Sequence, residues 1–116
     1  MNEGDIVLAS FPQADGQPKR RPAVVLRKIP PFGDLLICAV SSQLHQHFKG
    51  LDEFIVSTDT DFRSSGLLRN SVIRLGSLIT LPRNDFDGKI GRIAPERHLR
   101  LLKRLAKFLV LTGRST

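Results

Sequence analysis

Apolar and polar positions along the chain change period several times, and each change marks an element. The run "GDIVLASFP", opened by Gly4 and Asp5 and stopped by Pro12, predicts a first strand from about Asp5 to Phe11. "QADGQPK" then carries turn chemistry throughout and leads into "RPAVVLRK", a β-branched run that reads as a second strand with Pro22 at its start or on an edge. After the break "IPPFGD", the segment "LLICAVSS" is apolar enough for a central strand. "DEFIVS" predicts a fourth strand, "NSVIRL" a fifth, and "SLITLP" and "GKIGRIA" one or two more. The intervals are short, so hairpins and meanders with antiparallel pairing are expected rather than crossovers. At Pro95 the period becomes helical. Pro95 suits a first helical position with Glu96 in the first turn, and Leu99, Leu102, Leu105, Phe108 and Leu109 recur at spacings of three and four. Arg97, Arg100, Arg104 and Lys107 fall on the other face, read as solvated or as contacting nucleic acid. The predicted architecture is mainly β: a small curled antiparallel sheet, plausible as a barrel, closed by one C-terminal amphipathic helix.

Length adds that 116 residues make one domain, taken as 1–116, with no linker, repeat or low-complexity tract. The apolar runs are far too short to span a membrane, and the first residues lack the basic and apolar regions of a signal peptide, so a cytoplasmic location is expected. Cys38 is the single cysteine, set in an apolar run, and reads as a small core residue. The charge distribution changes the picture more. Lys and Arg number 18 against 11 Asp and Glu, a net charge of +7, which favours a polyanion or an acidic protein as partner. No cation precedes Lys19; "KRRP" then brings three together, and the helical segment supplies five more.

Most chemical motifs are missing: no Gly-rich phosphate loop, no zinc-type cysteine pair, no H-E-x-x-H and no G-x-S-x-G. "DTDFRSSG" alternates Asp59 and Asp61 as a calcium loop does, but Arg63 occupies a ligand position and the closing Glu is missing. His45 and His47 alternate without an evident third metal ligand, and no metal or other cofactor is expected. Cations associated with hydroxyls remain. If the second and third strands pair as a hairpin, Arg21 and Ser41 lie at the same end of it. A guanidinium beside a hydroxyl suits a phosphate, although an Arg before a Pro and a Ser ending a strand are each common.

The segments "GDIVLASFP", "KRRPAVVL", "GDLLICAVSSQ", "GLLRNSVIRLGSLITL" and "GKIGRIAPE" before a terminal helix resemble, in order and spacing, the MazF/PemK family of toxin endoribonucleases, over about residues 4–110. The resemblance implies an SH3-like barrel with appended helices, a homodimer, metal-independent cleavage of single-stranded RNA, and an antitoxin whose acidic tail covers the RNA groove. It matches the catalytic Arg to Arg21, the catalytic Thr or Ser to Ser41 and a cationic position near the site to Arg74; by their place beside these, Lys19, Arg20, Ser42, Gln43, His45 and His47 are expected to contact RNA as well. In the implied mechanism the ribose 2'-hydroxyl attacks the adjacent phosphate, Arg21 stabilises the phosphorane and Ser41 holds a phosphoryl oxygen. An Arg is a poor general base, its free pKa lying above about 12. Where relatives often carry an acid after the fifth strand, this chain has "IRLG" with Gly76, and His45 or His47 is the candidate substitute. Trp and Tyr are absent, so base stacking falls to Phe11, Phe32, Phe48 or arginine planes, and "QLHQHFKG" is expected to wall the groove. Two other readings keep the fold: a CcdB-like gyrase poison, disfavoured by the polar ending "LTGRST", and a non-catalytic nucleic-acid-binding SH3-like module, which binds RNA without cutting it.

Overall fold

The computed structural model describes residues 1–12 and 14–111. Six strands form one antiparallel sheet in the order β4-β5-β3-β2-β1-β6. β1 (Asp5–Phe11) and β3 (Asp34–Ser41) fall close to their expected places, while β2 (Lys19–Ile29) begins two residues earlier than "RPAVVLRK" predicted. β4 (Glu53–Ile55) is a short edge strand, and β6 (Gly88–Arg92) pairs with β1 on the other side. Two further elements are a short helix α1 (Phe62–Ser65) and a 3-10 turn at Leu44–Gln46. The terminal helix α2 (Pro95–Leu109) starts at Pro95 as the sequence predicts.

One expectation is corrected in β5 (Ser71–Leu81), which unites "NSVIRL" and "SLITL" in a single strand. The chain does not turn at Gly76-Ser77; it bulges. Cys38 and Ala39 of β3 face Leu78 and Arg74, so Leu75, Gly76 and Ser77 are extra residues on the β5 side. A bulge of this kind bends the strand and re-aims its side chains, which lets β5 curl with the sheet.

Both faces of the sheet are covered, which explains the near-continuous apolarity of "AVVL" and "LLICAV". Val24, Leu26, Cys38, Val40, Ile73 and Leu75 pack on one face beneath Leu101 and Leu105 of α2. Val7, Ala9, Ala23, Val25, Ile37 and Ala39 pack on the other with Ile79, Leu81 and Phe86. Burial pushes the Cys38 thiol up to about 12, as befits the small core residue the sequence indicated. α1 lies so close to β6 that a Cβ on Gly66 or Gly91 would run into the backbone of the other segment, and Gly66, at φ +75°, also ends the helix in the left-handed region.

The faces of α2 differ from expectation. Leu101 and Leu105 are buried, but Leu99, Phe108 and Leu109 are exposed, and the third residue on the buried stripe is Arg97, 7% exposed. Its guanidinium donates to Glu53 Oε1 (2.7 Å), Asp61 Oδ2 (2.8 Å), Asp59 Oδ2 (3.0 Å) and the Phe54 carbonyl (2.9 Å). Arg100 joins Glu53, and Arg104 donates to the Asp52 carbonyl. The cationic face is therefore largely a set of interactions between α2 and the segment 52–61. An arginine on a core stripe is stable only when carboxylates meet it. Those carboxylates lie more than thirty residues away in sequence, with |i−j| of 36 for Asp61 and 44 for Glu53.

Candidate functional site

The strand register builds the site on the face turned away from α2. Ala39 pairs with Ala23 of β2 and with Arg74 of β5, and Ser41 pairs with Val72. Continuing the β2–β3 register by two residues sets Arg21 opposite Ser41. Side chains directly opposite on antiparallel strands share a face. Arg21, Ser41 and Arg74 thus converge from three adjacent strands on one cavity of about 340 Å³, which Phe11, Pro12, Gln46, Ser77 and Leu78 also line. The hairpin logic that brought Arg21 near Ser41 is realised.

The polar atoms in this cavity are arranged for an anion. Ser41 is 3% exposed and its Oγ accepts the Gln43 N–H at 3.0 Å, which leaves the hydroxyl proton to donate into the cavity. Arg74 Nε is buried without a hydrogen-bond partner among the described residues. Neither a carboxylate nor an imidazole is among the lining residues.

The remaining predicted residues divide between other places. Lys19, Arg20 and Ser42 line a second cavity of about 470 Å³, with Arg69, Leu67, Leu68 and Ile90; Arg21 borders both. Arg20 also pairs with Asp87 at 3.1 Å. Gln43 is exposed and serves Ser41 through its backbone. His45 is exposed on the 3-10 turn, and His47 stacks on Phe54, with centroids 4.0 Å apart at 6°. Neither histidine lines the Arg21–Ser41 cavity; Gln46, between them, does. Of the three phenylalanines named for stacking, Phe11 is buried, Phe32 is exposed on the turn at the far end of the β2–β3 hairpin, and Phe48 is exposed on the wall.

Asp52 is a supporting residue that the sequence did not reveal, because an Asp between Leu51 and Glu53 reads as ordinary turn chemistry. It is 3% exposed, and its carboxylate accepts the Phe48 N–H and the Leu75 N–H, each at 2.9 Å. It therefore ties the wall segment to the β5 bulge that follows Arg74. Asp52→Ala would leave both N–H groups unpaired, and the expected loss is about 2–4 kcal/mol of stability. Urea unfolding checks it; a loss under about 1 kcal/mol would show that solvent replaces the carboxylate. A Cβ on Gly76, by contrast, would meet only Leu51 at 3.8 Å, so the missing acid there reflects no steric exclusion.

A sequence profile of the PemK-like, MazF-like toxin of type II toxin-antitoxin systems matches residues 2–109. Among solved structures the fold is similar to that of the Mycobacterium tuberculosis toxin MazF-mt6, with a TM-score of 0.66 and 19% identity, covering 93% of this chain and 98% of that one. No curated protein matches.

Proposed function

We propose, from the fact that this chain belongs to the PemK-like, MazF-like toxin family of type II toxin-antitoxin systems, that it is an endoribonuclease cutting single-stranded RNA at a short recognised sequence. The observation that carries this reading is the convergence of Arg21, Ser41 and Arg74 on one cavity. A phosphodiester approaching its transition state gathers negative charge on the non-bridging oxygens, and fixed donors aimed there are the largest catalytic contribution a protein can make. Arg21 neutralises that charge, Ser41 donates to one oxygen, and Arg74 adds a second positive charge at the cavity wall. The substrate supplies the nucleophile: its 2'-oxygen bonds to phosphorus, the bond from phosphorus to the 5'-oxygen breaks, and the leaving oxygen gains a proton as the 2'-hydroxyl loses one. The products are a 2',3'-cyclic phosphate and a 5'-hydroxyl. No step needs a metal, because guanidinium groups do the work a cation would do.

Membership of the family implies an antitoxin partner. An acidic antitoxin segment suits the cations of the two cavities, Lys19, Arg69 and Arg74 among them, and would compete with RNA for them. A homodimer is supported by the apolar residues that α2 leaves exposed, Leu99, Phe108 and Leu109. No helix among the described residues is long and apolar enough to cross a membrane, and we assign the protein to the cytoplasm, where its substrate is. The polar ending that argued against a gyrase poison lies, from Thr112 onward, outside the described residues.

Incubation with a long single-stranded RNA in excess EDTA tests the reading. The expected result is a set of discrete cuts sharing one short sequence, with cyclic phosphate ends, at a rate that added magnesium does not raise. Intact RNA at every protein concentration would overturn the nuclease in favour of a binding module.

A further inference from the structure

We propose that the stacked rings of His47 and Phe54 form a platform that binds one unstacked nucleobase of the RNA, adjacent to the phosphate held by Arg21 and Ser41. This inference rests on the nuclease reading and adds a substrate subsite to it. Phe54 pairs with Val72, and Val72 pairs with Ser41, so all three side chains stand in one row across the sheet. Glu53 and Ile55, its neighbours on β4, point toward α2 and are buried; Phe54 points the other way, toward the face that carries Ser41. Two strand spacings separate Phe54 from Ser41, about 10 Å. That distance suits a base next to the reacting phosphate and is too long for the ring to touch the phosphate itself.

The rings have the form such a platform needs. Phe54 remains 42% exposed although His47 covers part of it, and their near-parallel arrangement at 4.0 Å is the geometry in which a base adds to a stack. The chain holds no Trp or Tyr, so planar stacking groups are confined to Phe, His and Arg. The platform is also held in advance. Asp52 pins Phe48, next to His47, and the Phe54 carbonyl accepts from Arg97 at 2.9 Å. Little ordering remains for RNA to bring about on binding. Phe48, 64% exposed, and Lys49, exposed beside it, extend the surface along which the backbone would run.

The test uses an RNA oligonucleotide containing the cut sequence, with a 2'-deoxy sugar at the cleaved step and 2-aminopurine placed at successive positions. With the wild-type protein and with Phe54→Trp, fluorescence at one position beside the cleaved step should be quenched on binding. Phe54→Leu keeps an apolar side chain but loses the plane: quenching at that position should vanish and affinity should fall roughly tenfold to a hundredfold. On cleavable RNA the loss should appear in KM rather than in kcat. Where Phe54→Leu lowers the unfolding midpoint, His47→Ala carries the same readouts. Unchanged affinity and quenching in both variants, with wild-type cleavage intact, would overturn the platform and leave the nuclease standing. A wild-type protein that neither binds nor cuts RNA would remove the nuclease reading, and the platform with it.

Discussion

Arg21→Ala should lower kcat/KM for RNA cleavage by about a thousandfold or more, with the folded state intact. Removing a single neutral oxyanion donor from an enzyme site lowers turnover by roughly a hundredfold to a thousandfold, and Arg21 brings a full charge as well. It sits half-exposed near the start of β2, outside both packed clusters, so its removal leaves the core untouched. Binding of the uncleavable RNA should weaken only severalfold, because the ground-state phosphate carries less charge than the phosphorane. Arg21→Lys should recover part of the rate, limited by the loss of the planar fork that meets two oxygens at once. Ser41→Ala should fall less far, roughly tenfold to a hundredfold, since one hydroxyl donor is lost and charge neutralisation remains. Single-turnover rates beside urea unfolding curves make the check. An Arg21→Ala protein that cuts within tenfold of wild type would show that the chemistry lies elsewhere.

That pair was legible because hairpin geometry is local. A strand, a tight turn and a returning strand fix which ends meet, so the placement of Arg21 near Ser41 needed only the boundaries of β2 and β3. The start of α2 was legible for a similar reason: Pro95 and Glu96 are local signals. The continuity of β5 was not, because Gly76-Ser77 has the composition of a turn and only pairing with β3 makes it a bulge. Phe54 was equally hidden. Within "EFIV" it reads as core, and its exposure follows from lying on a three-residue edge strand with its face turned away from α2. The burial of Phe11 was equally illegible, since the packing of Phe86 and the rest of its cluster over that face is a tertiary fact, although Phe11 still lines the cavity.

The buried arginine of α2 shows most clearly what a linear reading misses, and it carries the second large effect: Arg97→Met should lower stability at neutral pH by about 3–5 kcal/mol. Methionine fills similar space, so the loss comes chiefly from leaving Asp61, 6% exposed, without its cation, while Glu53 keeps its pair with Arg100. The pH dependence separates this cause from simple repacking. Burial by itself raises the Asp61 carboxyl, but hydrogen bonds from Arg97 and the Ala94 N–H, together with the Arg97 charge, outweigh it and hold the group below its ordinary 3.8. A depressed carboxyl stabilises the folded state above its unfolded pKa, and that stabilisation is lost as pH falls through the folded value. Wild-type stability should therefore hold through neutral pH and decline below about pH 4. In Arg97→Met the Asp61 carboxyl is buried without a cation, so its protonation favours the folded state. The deficit should be largest near pH 7 and shrink steadily toward pH 4. Unfolding curves for both proteins across that range check the claim: a deficit that stays constant with pH would assign the loss to packing, and one under about 1 kcal/mol would show that the helix holds its place without the arginine.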